Sequence, residues 1–160
     1  MSEPGLEVLD SSYQKTQGST VMSLAWELCC FRWIGSLAAK AHLDKADAYK
    51  ALRAVLLTLR DRLPMQEAVH LGAQLPIMLR GLYYEGWKPS QTPVKMSREE
   101  FLQAVEEKIV TRGIVDPVRM TRDVLYVLGS YVSPGEFDNV KQILPKELQA
   151  FWRTSDEAAT

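Results

Sequence analysis

Arg80, Tyr83, Tyr84 and Trp87 carry the most distinctive chemistry in this chain. Their spacing is i, i+3, i+4 and i+7, one face of a helix provided the helix continues through Gly81 and Gly86. A guanidinium beside amphipathic rings holds an anion, a peptide or a partner's helix. These four are the candidate partner- or ligand-binding residues. The rival reading is that the rings cap the end of a core and dock the chain that follows, because aromatics dominate core burial.

Other groups with reactive side chains lack the company that chemistry needs. Cys29 and Cys30 are adjacent, so neither a mutual disulfide nor a Cys-x-x-Cys redox pair is open to them, and a buried structural role is expected. His42 and His70 are the two histidines. His70 lies three residues after Glu67 on a helical pattern, but two ligands do not make a metal site. Glu99, Glu100, Glu106 and Glu107 read as a wet helix face, without the Glu-x-x-His motif of a carboxylate-bridged metal bundle. Gly81 and Gly86 fit no phosphate-binding loop. No catalytic residue, metal ligand or cofactor is therefore assigned, and the balance leans away from an enzyme.

The elements that must position the aromatic face are helical. Asp44-Lys45-Ala46-Asp47 is an N-cap signal, followed by Leu52, Val55, Leu56, Leu59 and Leu63 at three- and four-residue spacing. Ser97 to Glu100 and Ser133 to Glu136 each spell a reciprocal capping box, and Asp116-Pro117 a third helix start. Leu75-Pro76 and Leu144-Pro145 each end one short helix and open another, because an internal proline loses a hydrogen bond and clashes with the preceding turn.

An internal repeat organises these signals. At an offset of 69 residues Val55 lies over Val124, Leu56 over Leu125 and Leu59 over Leu128. The same offset matches Asp47 with Asp116, Arg53 with Arg122, Glu67 with Glu136, Leu75-Pro76 with Leu144-Pro145, and Leu79 with Leu148. The matches fall on core-stripe and capping positions. The expected fold is an all-α compact multi-helix bundle built from two tandem copies of a helical unit. Its divisions are a flexible N-terminal arm 1–18, a first unit 19–87, a Pro-containing linker 88–96, a second unit 97–153 and a flexible tail 154–160.

The run Arg80-Gly81-Leu82-Tyr83-Tyr84-Glu85-Gly86-Trp87, behind Ala73-Gln74-Leu75-Pro76, resembles a prokaryotic family of uncharacterised proteins, the domain of unknown function numbered 2267. The second copy is similar, with Leu128-Gly129-Ser130-Tyr131-Val132-Ser133-Pro134-Gly135-Glu136, Leu144-Pro145-Lys146-Glu147-Leu148 and Phe151-Trp152. The resemblance spans about residues 22–153. It implies an all-helical protein of bacterial or archaeal type, and no activity or site residue.

Composition narrows the partners. The chain has 19 basic and 20 acidic side chains, a net charge of −1, and its halves carry +1 and −2, so no basic face announces nucleic acid. Two adjacent cysteines build no disulfide framework, and the residues after Met1 lack a basic stretch followed by an apolar core, so a cytoplasmic location is expected. The most apolar run, residues 21–39, is interrupted by Glu27 and Arg32, each costing roughly 2.5–3.5 kcal/mol in a bilayer, which argues against a membrane span. A helix over residues 20–42 is apolar on more than one face. It is either central and buried or covered by a second subunit, with Trp26 and Phe31 as its dimer-face candidates. The functional expectation is a non-catalytic protein–protein interaction module, a homodimer or an adaptor for an unidentified protein. The alternative is a small-molecule or anion sensor with a pocket between the two units.

Overall fold

The computed structural model describes residues 29–109 and 116–152. The expected arm 1–18, the tail 154–160 and Trp26 lie outside the described residues. Every regular element described is helical. Helix α1 covers residues 29–41. It is followed by α2 (Lys45–Arg62), α3 (Met65–Gln74) and α4 (Ile77–Tyr84), then a 3₁₀ turn at Pro89–Gln91. Next come α5 (Arg98–Lys108), α6 (Pro117–Tyr131), α7 (Pro134–Ile143), α8 (Lys146–Gln149) and a 3₁₀ turn at Ala150–Trp152.

The helix starts are written in the sequence. Asp44 accepts from the Asp47 N–H at 2.8 Å. Asp116 accepts from the Val118 N–H at 3.0 Å, with Pro117 in the first helical position. At α5 the capping box is complete: the Glu100 N–H donates to Ser97 Oγ at 3.2 Å, and the Ser97 N–H donates to Glu100 Oε2 at 2.7 Å. Both Leu-Pro steps separate short helices, α3 from α4 and α7 from α8. Helix α1 ends on His42, which takes the left-handed conformation (φ 56°), while the Leu43 N–H reaches back to the Ala38 carbonyl at 3.0 Å.

The helix buried on almost every side is α2, not α1. Ala48, Ala51, Leu52, Ala54, Val55, Leu56, Leu57, Thr58, Leu59 and Arg60 are all buried. Helix α5 packs extensively on α2, and α4 and α6 also lie against it. Helix α1 is amphipathic instead: Trp33, Ile34, Leu37 and Ala41 face the core, whereas Cys29, Phe31 and Arg32 are exposed. It is tied to α6 by Trp33 stacked on Tyr131 (centroids 4.9 Å apart) and by the Ser36–Tyr131 hydroxyl pair at 2.6 Å. The expected burial of the cysteines holds for Cys30 in part and not for Cys29, which points away from the core face. Burial pushes the Cys30 thiol up, so that thiol is less readily ionised.

Because α5 packs on the central helix and its first turn depends on Ser97, a Ser97→Ala variant should lose about 1 kcal/mol of unfolding free energy in a urea titration. An unchanged midpoint would mean that solvent replaces the cap at no cost.

Candidate functional site

The aromatic face does not persist as one helical face. Helix α4 stops at Tyr84, and Gly86 adopts φ 66°, a left-handed conformation that favours glycine. Trp87 therefore leaves the helix on a turn, its N–H bonded to the Tyr84 carbonyl at 3.2 Å. Its ring still meets the Tyr84 ring, with centroids 5.5 Å apart.

Tyr83 is fully buried, and its hydroxyl donates to the Ala68 carbonyl of α3 at 2.7 Å. Burial pushes its phenol well above the usual tyrosine range, so the ring is a neutral core group. Tyr83 thus differs from the expected contact residue, since its polar end is already spent on the chain's own backbone. Tyr84 is half-buried and crosses α3 at Gly72; a Cβ there would collide with the Tyr84 hydroxyl and lie 3.0 Å from Tyr83 Cε1. Gly72 is the close approach that lets the two tyrosines seat.

Arg80 is exposed, yet its Nε and Nη2 are engaged. Nε donates to the Gly72 carbonyl at 3.0 Å, and Nη2 donates to Ala73 at 3.0 Å and Leu75 at 3.1 Å. These carbonyls lie at the C-terminal end of α3 and carry the negative end of its dipole; Gly72 also accepts from the Leu75 N–H at 3.1 Å. Arg80 is a cap reached from the next helix, across the Leu75-Pro76 step. Gln149 makes the matching bond after the second Leu-Pro step, its Nε2 donating to the Leu144 carbonyl at 2.7 Å. The absence of an arginine at that second position is therefore no sign that Arg80 is spare for binding.

The residue that sequence reasoning missed is Arg60. It is 4% exposed, and Nη1 donates to the carbonyls of Tyr83 (2.7 Å) and Glu85 (2.8 Å). Its Nε and Nη2 both meet Asp61 Oδ1, at 2.9 and 2.8 Å. The available signal was a basic residue one turn after Leu56 on the apolar stripe. No group of three or more His, Cys, Asp or Glu among the described residues is placed to hold a metal ion. His70 and Glu67 do come together, at 3.8 Å, and their neighbourhood reaches Glu136 of α7.

The family model described as an uncharacterized conserved protein (DUF2267) matches residues 31–151, three quarters of the chain. The chain belongs to the DUF2267 family. No curated protein matches it. The DUF2267 match runs from Phe31 of α1 to Phe151 in the last 3₁₀ turn, and so takes in every described helix, in whole or in large part. Trp26 lies before it.

Two variants separate packing from recognition in this DUF2267 chain. Gly72→Ala should cost about 1–3 kcal/mol, because the tyrosines must shift to admit the methyl group. Tyr84→Phe should cost under about 0.5 kcal/mol, its 3.4 Å bond to the Val69 carbonyl being long and exposed. Chemical unfolding of both reads the difference.

Proposed function

We propose that the protein is a non-catalytic interaction module that acts through apolar surface, as a homodimer or as an adaptor for another protein. The observation that carries this reading is the set of large apolar side chains left in water. Met65 and Val69 lie one turn apart on α3, Ile77 and Met78 open α4, and Phe31 stands out from α1, each of the five 44–55% exposed. Isolated exposed apolar residues need no explanation, but four on the two packed helices α3 and α4, with Phe31 on α1 besides, favour a partner for so small a body. The sensor alternative loses its central residue, because Arg80 already donates to three carbonyls.

The reading includes a body made of two copies of one unit. Helices α3 and α7 begin and end 69 residues apart, and so do the starts of α4 and α8 and the ends of α2 and α6. Hydrogen bonds follow the same offset. The bond from the Arg80 side chain to the Leu75 carbonyl corresponds to that from Gln149 to Leu144, and Leu75 N–H to Gly72 corresponds to Leu144 N–H to Lys141. Duplication supports an interaction role by giving the two halves comparable faces, of which only some are needed to pack each other.

Light scattering on a sizing column tests the homodimer directly. The expected mass at low micromolar concentration is near twice 18.1 kDa, falling to one chain in a Phe31→Ser variant that keeps its helical circular dichroism. A single-chain mass throughout, unchanged by Phe31→Ser, would overturn the homodimer.

A further inference from the structure

Ser133 opens α7, and Glu136 stands three residues on, as Glu100 stands to Ser97. The two motifs end differently. Glu100 returns its carboxylate to the Ser97 N–H. At α7 only half of the box forms: the Glu136 N–H donates to Ser133 Oγ at 3.4 Å. The Ser133 N–H instead donates to Gln74 Oε1 at 3.2 Å, the side chain of the last residue of α3. Gln74 thus clasps α3 to α7, two helices already in contact. The Glu136 carboxyl is left without its capping partner.

Its surroundings are poor for a charge. Glu136 Oε1 is closed to water and has no hydrogen-bond partner. Glu67 Oε2, on α3, is closed in the same way, with His70 Nδ1 at 3.8 Å. Burial foremost, and then the charge of Glu67, push the Glu136 carboxyl above its ordinary range, while His70 pulls it down. From α4 the neutral Tyr83 phenol lies within the field of Glu136. Among the described residues no charged group of α6, the other helix packed on α7, perturbs it. Each carboxyl keeps one oxygen closed to water, and two such groups repel one another when both are ionised, whereas the first turn of a helix welcomes one.

We propose that Glu136 is a proton-operated latch between α3 and α7: protonated, it lies beside Glu67; ionised, it returns to the Ser133 N–H, displaces Gln74 and releases the clasp. The sign follows from the raised midpoint. The folded, clasped state binds the extra proton, so its advantage is complete below the ordinary carboxylate range and is lost as pH rises through the Glu136 midpoint. The second copy thereby carries a pH response, where the corresponding α3 start has Pro64 in place of Ser133 and forms no side-chain cap.

Nuclear magnetic resonance on the full chain from about pH 4 to about pH 8 reads both ends of the latch. The Glu136 carboxyl carbon should titrate above 4.5, and the Ser133 amide proton should move downfield with the same midpoint. In Glu136→Gln the Ser133 amide should stay still across that range. In Gln74→Ala the competitor is gone, so the complete box should form and lower the Glu136 midpoint by about half a unit or more. A Ser133 amide that ignores the titration of Glu136, or a Glu136 midpoint at or below 4.5 in the unaltered chain, would overturn the latch.

Discussion

A buried guanidinium holds this fold together. Arg60 sits at the end of the central helix, and nothing in the surrounding core could carry its charge without Asp61 and two backbone carbonyls. Those carbonyls belong to Tyr83 and Glu85, where α4 runs out of intrahelical donors. One side chain thus neutralises a helix end and ties α4 to α2. The turn that follows has contacts of its own: Gly86 reverses the chain, Trp87 folds back on Tyr84, and Val94 donates its N–H to the Asp61 carbonyl at 2.8 Å.

Arg80 solves the same problem one helix earlier. A Leu-Pro step lets two short helices meet at an angle, but it exposes the carbonyls of the first. A long side chain from the second helix reaches back to them, arginine at position 80 and glutamine at 149. Tyr83 adds a hydroxyl to the Ala68 carbonyl, and Gly72 clears room for the pair of rings. The chemistry that made residues 80–87 look like a recognition site is largely consumed in holding α3, α4 and α2 together. The surface proposed for a partner is instead the exposed apolar side chains of α1, α3 and α4.

Local signals in the sequence were sufficient for the elements. Caps at Asp44, Ser97 and Asp116 and breaks at Pro76 and Pro145 depend on neighbours a few residues away, and all stand as the spacing implies. Properties that depend on distant groups were not legible. Ser133 and Glu136 spell a box, yet Gln74, 59 residues away, takes the Ser133 N–H. Periodicity marked the stripe of α2 but not that Arg60 belongs inside it, because its acceptors lie 23 and 25 residues on. The helix richest in apolar residues was a poor guide to the centre: α2, with three small alanines buried among its leucines, is covered on almost every side, whereas α1 leaves Phe31 in water.

Arg60, rather than the aromatic face, organises this end of the molecule, and one free energy tests it. Equilibrium urea unfolding of Arg60→Met, which keeps most of the side-chain bulk but removes the donors, measures it. Orphaning two carbonyls and the carboxylate of Asp61 should lower stability by about 2–4 kcal/mol. A loss within about 0.5 kcal/mol, the range of an ordinary surface change, would contradict the account.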